Sequence, residues 1–546
     1  MTFLQRISTR AGLSFARIAV VLAAATTIGG CAHAPRFKDQ AVVWKVDDAR
    51  PIAEPEENEY LKLQYFADVF ALRRLDRALE LRDHEPAHNS NALDEAPDST
   101  WFQNRIGRRE VSPEEVRRGP GGGPPKAPLT ITGAKVGGGN PGFIVKDSIG
   151  KKFLLKFDPL ANPEMQTAAD AIGIRMFWAM GYNVPSDNVF ILERKDLVFG
   201  KEPVTFKDAL GRKQPLTEKQ IVEALATSPR LPDGNYRVLA SEILPGKAKG
   251  GWMPEGVRGD DENDLVAHEH RREVRGLRVF TAWLNQTDMK QDNTLDMYVE
   301  EGGKHFLRHY LIDFGESLGG HAAEKGRDED GYEYYIDWEN QGKALLALGF
   351  WKRPWESRVH SPWLSIGAFS ALDFEPVQWR EAYPYFPFFE TDEADSYWAA
   401  KIVMRFERRH IEAAVAAGQL SQPEAARYLV DTLVARQRKI GLAYIENVTP
   451  IDDLTIRAGA LCGVDLGVRF KLATSGAVVR LGPHDEVLER VTVTADGDFC
   501  MALPPGDDYT VYRLSTYRGR DKRRAMAVHF KGGSNARILG IIRREH

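Results

Sequence analysis

Between residues 59 and 81 the apolar side chains Leu61, Leu63, Phe66, Val69, Phe70, Leu72, Leu75 and Leu79 recur mostly three or four positions apart. That spacing predicts an amphipathic helix. The stretch before it, roughly 32–58, is polar, contains Pro and Glu, and reads as a tether. The run Gly119-Pro-Gly-Gly-Gly-Pro-Pro-Lys-Ala-Pro128 breaks regular structure. Beyond it the texture changes to short β-rich runs at 129–136, 142–147 and 153–157, separated by glycine clusters. A helical pattern over 164–181 closes at Gly181, and further strands follow at 189–192 and 236–244. An acidic loop (259–264) then leads into a long helix ending near Leu284. From about 335 to 445 the pattern is mostly helical, although 351–389, rich in Trp, Pro and Phe, follows neither period. After about 456 alternation and turn signals return, which predicts a small all-β domain. Strands first and helices afterwards predict an α+β fold, a β-rich lobe joined to a larger helical one. The expected divisions are 1–30, 31–128, 129–450 and 456–546.

Composition narrows the class. A chain of 546 residues exceeds one ordinary core, and 43% hydrophobic with 27% charged residues is globular rather than disordered. The formal charge of −4 is spread over 73 basic and 77 acidic residues. Basic clusters such as Arg271–Arg272 and Arg408–Arg409 are short and interleaved with acids, so no nucleic-acid partner is expected. The first thirty residues differ: Arg6, Arg10 and Arg17 precede an uncharged stretch from 18 to 30, followed by Cys31. This reads as a signal peptide, too short for the roughly 20 apolar residues of a membrane span. Ile28-Gly29-Gly30-Cys31 resembles the lipobox of bacterial lipoproteins, which implies acylation of Cys31. Ala32, rather than Asp, follows it, which by analogy points to the outer membrane facing the periplasm. Two further cysteines, Cys462 and Cys500, form either one disulfide in that oxidising compartment or two buried thiols. Their spacing fits no zinc site.

The chemistry lies in Trp283-Leu-Asn-Gln-Thr-Asp288-Met-Lys290-Gln-Asp-Asn293, followed twenty residues on by Leu311-Ile-Asp313-Phe314-Gly315. Phosphoryl transfer needs positioning and charge neutralisation more than covalent help. A carboxylate must take up or orient the acceptor proton, while an amide oxygen and a second carboxylate hold magnesium, a cation that prefers hard oxygen ligands. Asp288, Asn293 and Asp313 are those residue types. Their order and spacing resemble the protein-kinase pattern Asp-x-x-x-x-Asn…Asp-Phe-Gly. The chain is thereby similar to the protein-kinase-like superfamily, as an atypical bacterial kinase-like lipoprotein. The resemblance implies a bilobal fold, a catalytic base at Asp288 with Lys290 beside the transferring phosphate, and magnesium on Asn293 and Asp313. Gln286 and Thr287 stand where protein kinases often carry His-Arg, and no Ala-Pro-Glu follows Asp313. A peptide platform of the usual kind is therefore doubtful.

Upstream, Gly137, Gly138 and Gly139 lie between two strand-like runs, where amides can approach phosphate without side-chain obstruction. Lys156 interrupts an apolar strand and needs an anion, since a buried ammonium is costly unless paired. Glu164, opening the next helix, is the expected partner; Lys146 and Lys152 compete for the lysine role. Residues 241–244 end a strand at the hinge position. The C-terminal Val491-Thr-Val-Thr-Ala-Asp496-Gly…Leu503-Pro-Pro-Gly506 resembles the carboxypeptidase-regulatory-type β-sandwich, with turns at Gly497 and Gly506. The function expected is an ATP- and magnesium-dependent phosphotransferase of the cell envelope, its acceptor unidentified. An envelope compartment holds little ATP. A non-catalytic kinase-fold scaffold, a small-molecule or carbohydrate kinase, and a nucleotidyl transferase are the alternatives.

Overall fold

Side chains in the stretch KFLLKF alternate strictly: Phe153, Leu155 and Phe157 are buried on one face, and Lys152, Leu154 and Lys156 lie on the other. Such alternation is what a strand covered unequally on its two sides produces. A computed structural model describes residues 37–79, 85–135, 142–207, 212–321 and 327–543, and Gln40–His546 form one compact unit. The early strands in chain order are β1 (Leu129–Lys135), β2 (Gly142–Lys146), β3 (Lys152–Phe157), β4 (Asp187–Leu192), β5 (Leu197–Phe199), β6 (Thr205–Lys207), β7 (Lys213–Pro215), β8 (Tyr236–Glu242), β9 (Lys247–Ala248), β10 (Thr294–Glu301) and β11 (Lys304–Leu311). Six of them form a sheet of spatial order β4-β8-β3-β2-β1-β5, antiparallel except where β5 runs parallel to β1. One face buries Phe143, Val145, Phe153, Leu155, Phe157 and Val238 in a common core. The opposite face carries Lys156 and meets the helix Met165–Met180, with Ala171, Val189 and Leu239 packed between.

That helix is buried nearly all round, as an alanine-rich sequence without an amphipathic stripe requires. Asp158, at the end of β3, starts it. Its carboxylate accepts from the backbone N–H of Gln166 (3.0 Å) and Thr167 (2.9 Å), donors that a helix's first turn leaves without partners. The helical body is built from Arg272–Leu284, Glu393–Met404, Arg408–Ala417 and Pro423–Gly441 around Trp283, Trp398, Phe280 and Leu433. The sheet β11-β10-β9 stands beside it.

Two expectations are corrected. The segment read as a tether is, from Gln40 on, laid along the body: Ile52 N–H donates to His305 (2.9 Å), Asn58 N–H donates to Lys249 (2.9 Å), and Glu54 pairs with Lys247 and Lys249. The amphipathic helix exists over Lys62–Ala67 and Arg73–Ala78, but a π turn at Asp68–Leu72 joins the two parts. An extra residue in that turn rotates the second part about the axis of the first, so Leu72, Leu75 and Leu79 face solvent although Tyr65, Val69 and Phe70 before them are buried; Leu63, in the first part, is exposed as well. The stretch 351–389, which follows neither period, is irregular apart from a 3₁₀ turn at Pro354–Ser357 and the short helix Phe386–Phe389. Its carbonyls are satisfied by arginines in place of a ladder: Arg436 donates to Ser370 (2.7 Å) and Arg358 to Ala368 (2.7 Å).

From Ile451 onward the chain is β, as its alternation predicts. One sheet holds Ile451–Arg457, Ala460–Asp465 and Asp498–Ala502. The other orders Val487–Thr492, Ala477–Leu481, Tyr509–Arg518, Met526–Lys531 and Arg537–Ile542, with Asp521–Lys522 beside Tyr509–Arg518. Leu461, Phe499 and Met501 of the first meet Val478, Leu514 and Val528 of the second in one core. Cys462 and Cys500 are directly opposite across two strands and are joined as a disulfide. Among the described residues no helix is long and apolar enough to cross a membrane.

Candidate functional site

An antiparallel hairpin closes the twenty-residue gap between the two halves of the motif. β10 and β11 pair in unbroken register from Thr294↔Leu311 to Glu301↔Lys304. The residues just outside the open end, Asn293 and Asp313, are therefore neighbours by geometry. Ile312 N–H donates to the Asn293 carbonyl at 3.0 Å, continuing the ladder one step. Before it, the helix Arg272–Leu284 ends at Asn285 in a left-handed conformation (φ 50°), and the chain turns through a buried loop into a single 3₁₀ turn, Gln291–Asn293.

Within this loop Asn293 donates its amide hydrogens to the Asp288 carbonyl and to Asp288 Oδ2, both at 2.7 Å. Its nitrogen being so engaged, a cation would meet its oxygen. Lys290 donates to Asp288 Oδ1. Burial and the nearby Glu316 push Asp288 up to about 6. Gln286, at a position where the kinase pattern has His-Arg, bonds the Asp313 carbonyl through Nε2 (3.2 Å) and accepts from the Ser317 hydroxyl (3.2 Å). Asp313 itself is left-handed (φ 61°). For a non-glycine residue such a backbone costs about 1–3 kcal/mol, and it persists where surroundings impose it. Here the next residue, Phe314, is buried against Phe177, and its N–H donates to Asp170 Oδ1 (3.2 Å). Gly173 makes room for this: a Cβ there would lie 2.7 Å from Phe314 Cβ.

Lys156 reaches the same place from the sheet. Its ammonium is 2.8 Å from Asp170 and 3.0 Å from Asp313. Burial opposes its charge, but Asp170, Asp313 and Asp187 outweigh that and hold it well above the ordinary lysine value. The expected pairing with Glu164 is overturned. Glu164 occupies the position before the helix Met165–Met180 in a left-handed conformation, and its carboxylate accepts from Ser421 N–H (3.0 Å). Asp170, nearly two turns further along, is the residue whose side chain meets β3. Lys146 and Lys152 are exposed at the far end of their strands.

Several partners carried no sequence signal. Asp170 and Asp187 are acids within otherwise apolar elements, and only the packing of helix on sheet brings them to Lys156. Burial and Asp170 push Asp187 up to about 8. Glu316, three residues past Asp313, pairs with His321 (3.4 Å) and adds negative charge beside Asp288. Glu242, at the expected hinge, pairs with Lys151 (2.7 Å). Gly137, Gly138, Gly139 and Cys31 lie outside the described residues.

Hard oxygen donors at Asp313 and Asn293 beside a lysine fit a magnesium–phosphate ligand. Asp170 and Asp313 pair with the Lys156 ammonium, Asp187 acts on both Lys156 and Arg175, and Asp313 keeps 55% of its side chain exposed. A different cluster, Glu85, His88 and His270, also has ligand-type atoms within 4.8 Å. There Arg275 donates to His270 Nδ1 (2.6 Å), which puts the ring's own proton on Nε2 and opposes metal ligation through it. His268 is committed to Asp264 (2.7 Å).

No family model matches the chain, and no curated protein does. Among solved structures, a Golgi casein kinase matches at 9% identity over 61% of this chain and 75% of its own, with a TM-score of 0.23. A Golgi casein kinase with Mn/ADP bound matches at 10% identity over 73% and 97%, with a TM-score of 0.24. A likeness this slight argues neither fold nor activity.

Proposed function

We propose that the chain is a phosphotransferase of the protein-kinase-like type, with a β-rich lobe, a helical lobe and a C-terminal β-sandwich. More particularly, it would use ATP and magnesium at the bacterial envelope, held there by a lipid on Cys31 and facing the periplasm. The observation that carries the reading is the hairpin closure that sets Asn293 beside Asp313, with Lys156 on the Asp313 carboxylate. Magnesium, when bound, supplies neutralisation of the charge on the transferring phosphates. Asp313 and the Asn293 amide oxygen would hold it. Lys156 positions phosphate, and Asp170 holds Lys156 while fixing the Phe314 loop. Asp288 takes the acceptor proton on Oδ1 or Oδ2; a carboxyl titrating near 6 is ionised at neutral pH yet basic enough to accept a proton in transfer. Lys290, now on Asp288, is placed to turn to the phosphate.

The test is incubation of the full chain with γ- and α-labelled ATP, wild type against Asp313→Ala. γ-Label transferred by the wild type and lost in the variant supports the reading. α-Label transfer makes it a nucleotidyl transferase, and nucleotide binding without transfer of either label makes it a scaffold. Incorporation of labelled palmitate, lost in Cys31→Ala, tests the anchor.

A further inference from the structure

Beside Asp288 a row of side chains runs from Lys290 to Glu316. Lys290, paired with Asp288, has its ammonium 5.2 Å from the ring centre of Tyr383. Tyr383 lies 4.8 Å from Tyr335, the two rings inclined at 46°. The Tyr335 hydroxyl is 3.1 Å from His321 Nε2, and His321 Nδ1 is 3.4 Å from Glu316, whose negative charge acts on Asp288. One face of each ring is covered from behind: Phe66 stacks on Tyr383 (5.5 Å, 18°) and Arg327 on Tyr335 (4.0 Å). Both tyrosines and His321 nevertheless remain partly exposed, His321 at 21%.

Two rigid, inclined aromatic rings beside a carboxylate and an imidazole make a specific kind of wall. Rings of this sort give a large contact area at low entropic cost and leave orientation to a few polar groups. A ligand that suits it has C–H faces to lie on the rings and hydroxyls to bond Glu316 and His321. A sugar has both. A peptide acceptor would need a platform for its backbone, and no Ala-Pro-Glu follows Asp313 to build the usual one.

Resting on the phosphotransfer reading, we propose that the acceptor is a carbohydrate hydroxyl, with the sugar ring seated on Tyr383 and Tyr335 and oriented by Glu316 and His321. The transfer would form the bond from the sugar oxygen to phosphorus and break that to the departing ADP oxygen, the hydroxyl proton passing to Asp288.

Sugar binding can be read without ATP. The full-length chain is titrated with neutral hexose, N-acetylhexosamine and heptose oligosaccharides, and separately given γ-labelled Mg–ATP with the same sugars or with Ser/Thr/Tyr peptides. The expected result is binding of at least one sugar class, about tenfold weaker in Tyr383→Ala and Tyr335→Ala and nearly unchanged in the Phe variants, which keep the rings. Glu316→Gln, which leaves the packing intact, should weaken it about tenfold as well. Label should appear on the sugar. No sugar bound by the wild type, alanine variants that bind as tightly, or label confined to peptides would each overturn the proposal. Absence of any Mg–ATP binding would instead strike the phosphotransfer reading and leave the sugar titration to stand alone.

Discussion

Two buried charge clusters in this molecule use the same residue types to opposite ends. Where the C-terminal β region meets the helical body, charges alternate in one chain. Arg275 meets Asp395 (3.3 Å), Asp395 meets Arg272 (2.8 Å), Arg272 meets Asp94 (2.6 Å), Asp94 meets Arg543 (3.2 Å), Arg543 meets Asp452 (2.6 Å), and Asp452 meets Lys401 (3.0 Å), which ends on Glu95. Four cations balance four carboxylates, and the network needs nothing further. The cleft instead sets Asp170 and Asp313 on Lys156, with Asp187 acting on Lys156 and Arg175, and Asp313 stays more than half exposed. Balance marks a structural joint. A carboxylate left exposed at an opening, as Asp313 is, marks a place for a further cation, and that exposure, rather than burial of charge as such, separates site from scaffold here.

The joint should break hardest. Arg272→Ala removes the cation between Asp94 and Asp395, leaving each on one remaining arginine, and is expected to cost about 3–5 kcal/mol, the usual loss when one partner of a buried pair is removed. Urea unfolding would measure it, and a loss below about 1 kcal/mol would erase the contrast. Replacing both Cys462 and Cys500 by alanine should cost about 2–4 kcal/mol, read as a lowered melting temperature that matches that of the reduced wild type.

The cleft should respond with the other sign. Asp187 has a folded-state pKa raised to about 8, above its unfolded value of roughly 3.9. Between those values the native state binds more protons than the unfolded chain, so this group lowers stability as pH rises from about 4 to 8. Asp187→Asn should remove that slope and stabilise the apo protein by about 1 kcal/mol near neutral pH, at the expense of activity. Parallel melting curves of wild type and variant across this range would contradict it. Asp313→Asn should be the mildest for stability, at most about 1 kcal/mol, because the carboxylate is largely solvated. It should nevertheless abolish binding of magnesium-nucleotide.

Legibility from sequence tracks how local each feature is. The strands around Lys156, the helix closing at Gly181 and the β texture after residue 456 depend on period and turn chemistry, and they appear where the pattern puts them. Asn293 and Asp313 could be linked because a hairpin between them is itself a local structure. Glu164 misled because it opens the right helix, whereas the residue that meets Lys156 is set by how that helix lies across the sheet, and this chose Asp170. Asp187 acts through packing between elements distant in sequence and carried no mark, and Gln286 is marked only for standing in place of His-Arg, not for its bond to the Asp313 carbonyl. The bound course of 40–60 was hidden for a related reason. A polar segment that pairs its backbone with a neighbour, as Ile52 does with His305, has the composition of a free linker.

The central claim is that Asp288, Asn293 and Asp313 make one cation-dependent nucleotide site. Its most direct test is thermal unfolding of the full chain titrated with ATP, with and without magnesium. A ligand that binds only the native state raises apparent stability by about 2.7 kcal/mol at a hundred times its Kd. The account predicts such a rise with magnesium present, absent without it, and absent in Asp313→Asn even with it. A rise of equal size in that variant, or none in the wild type at millimolar magnesium-ATP, would contradict it.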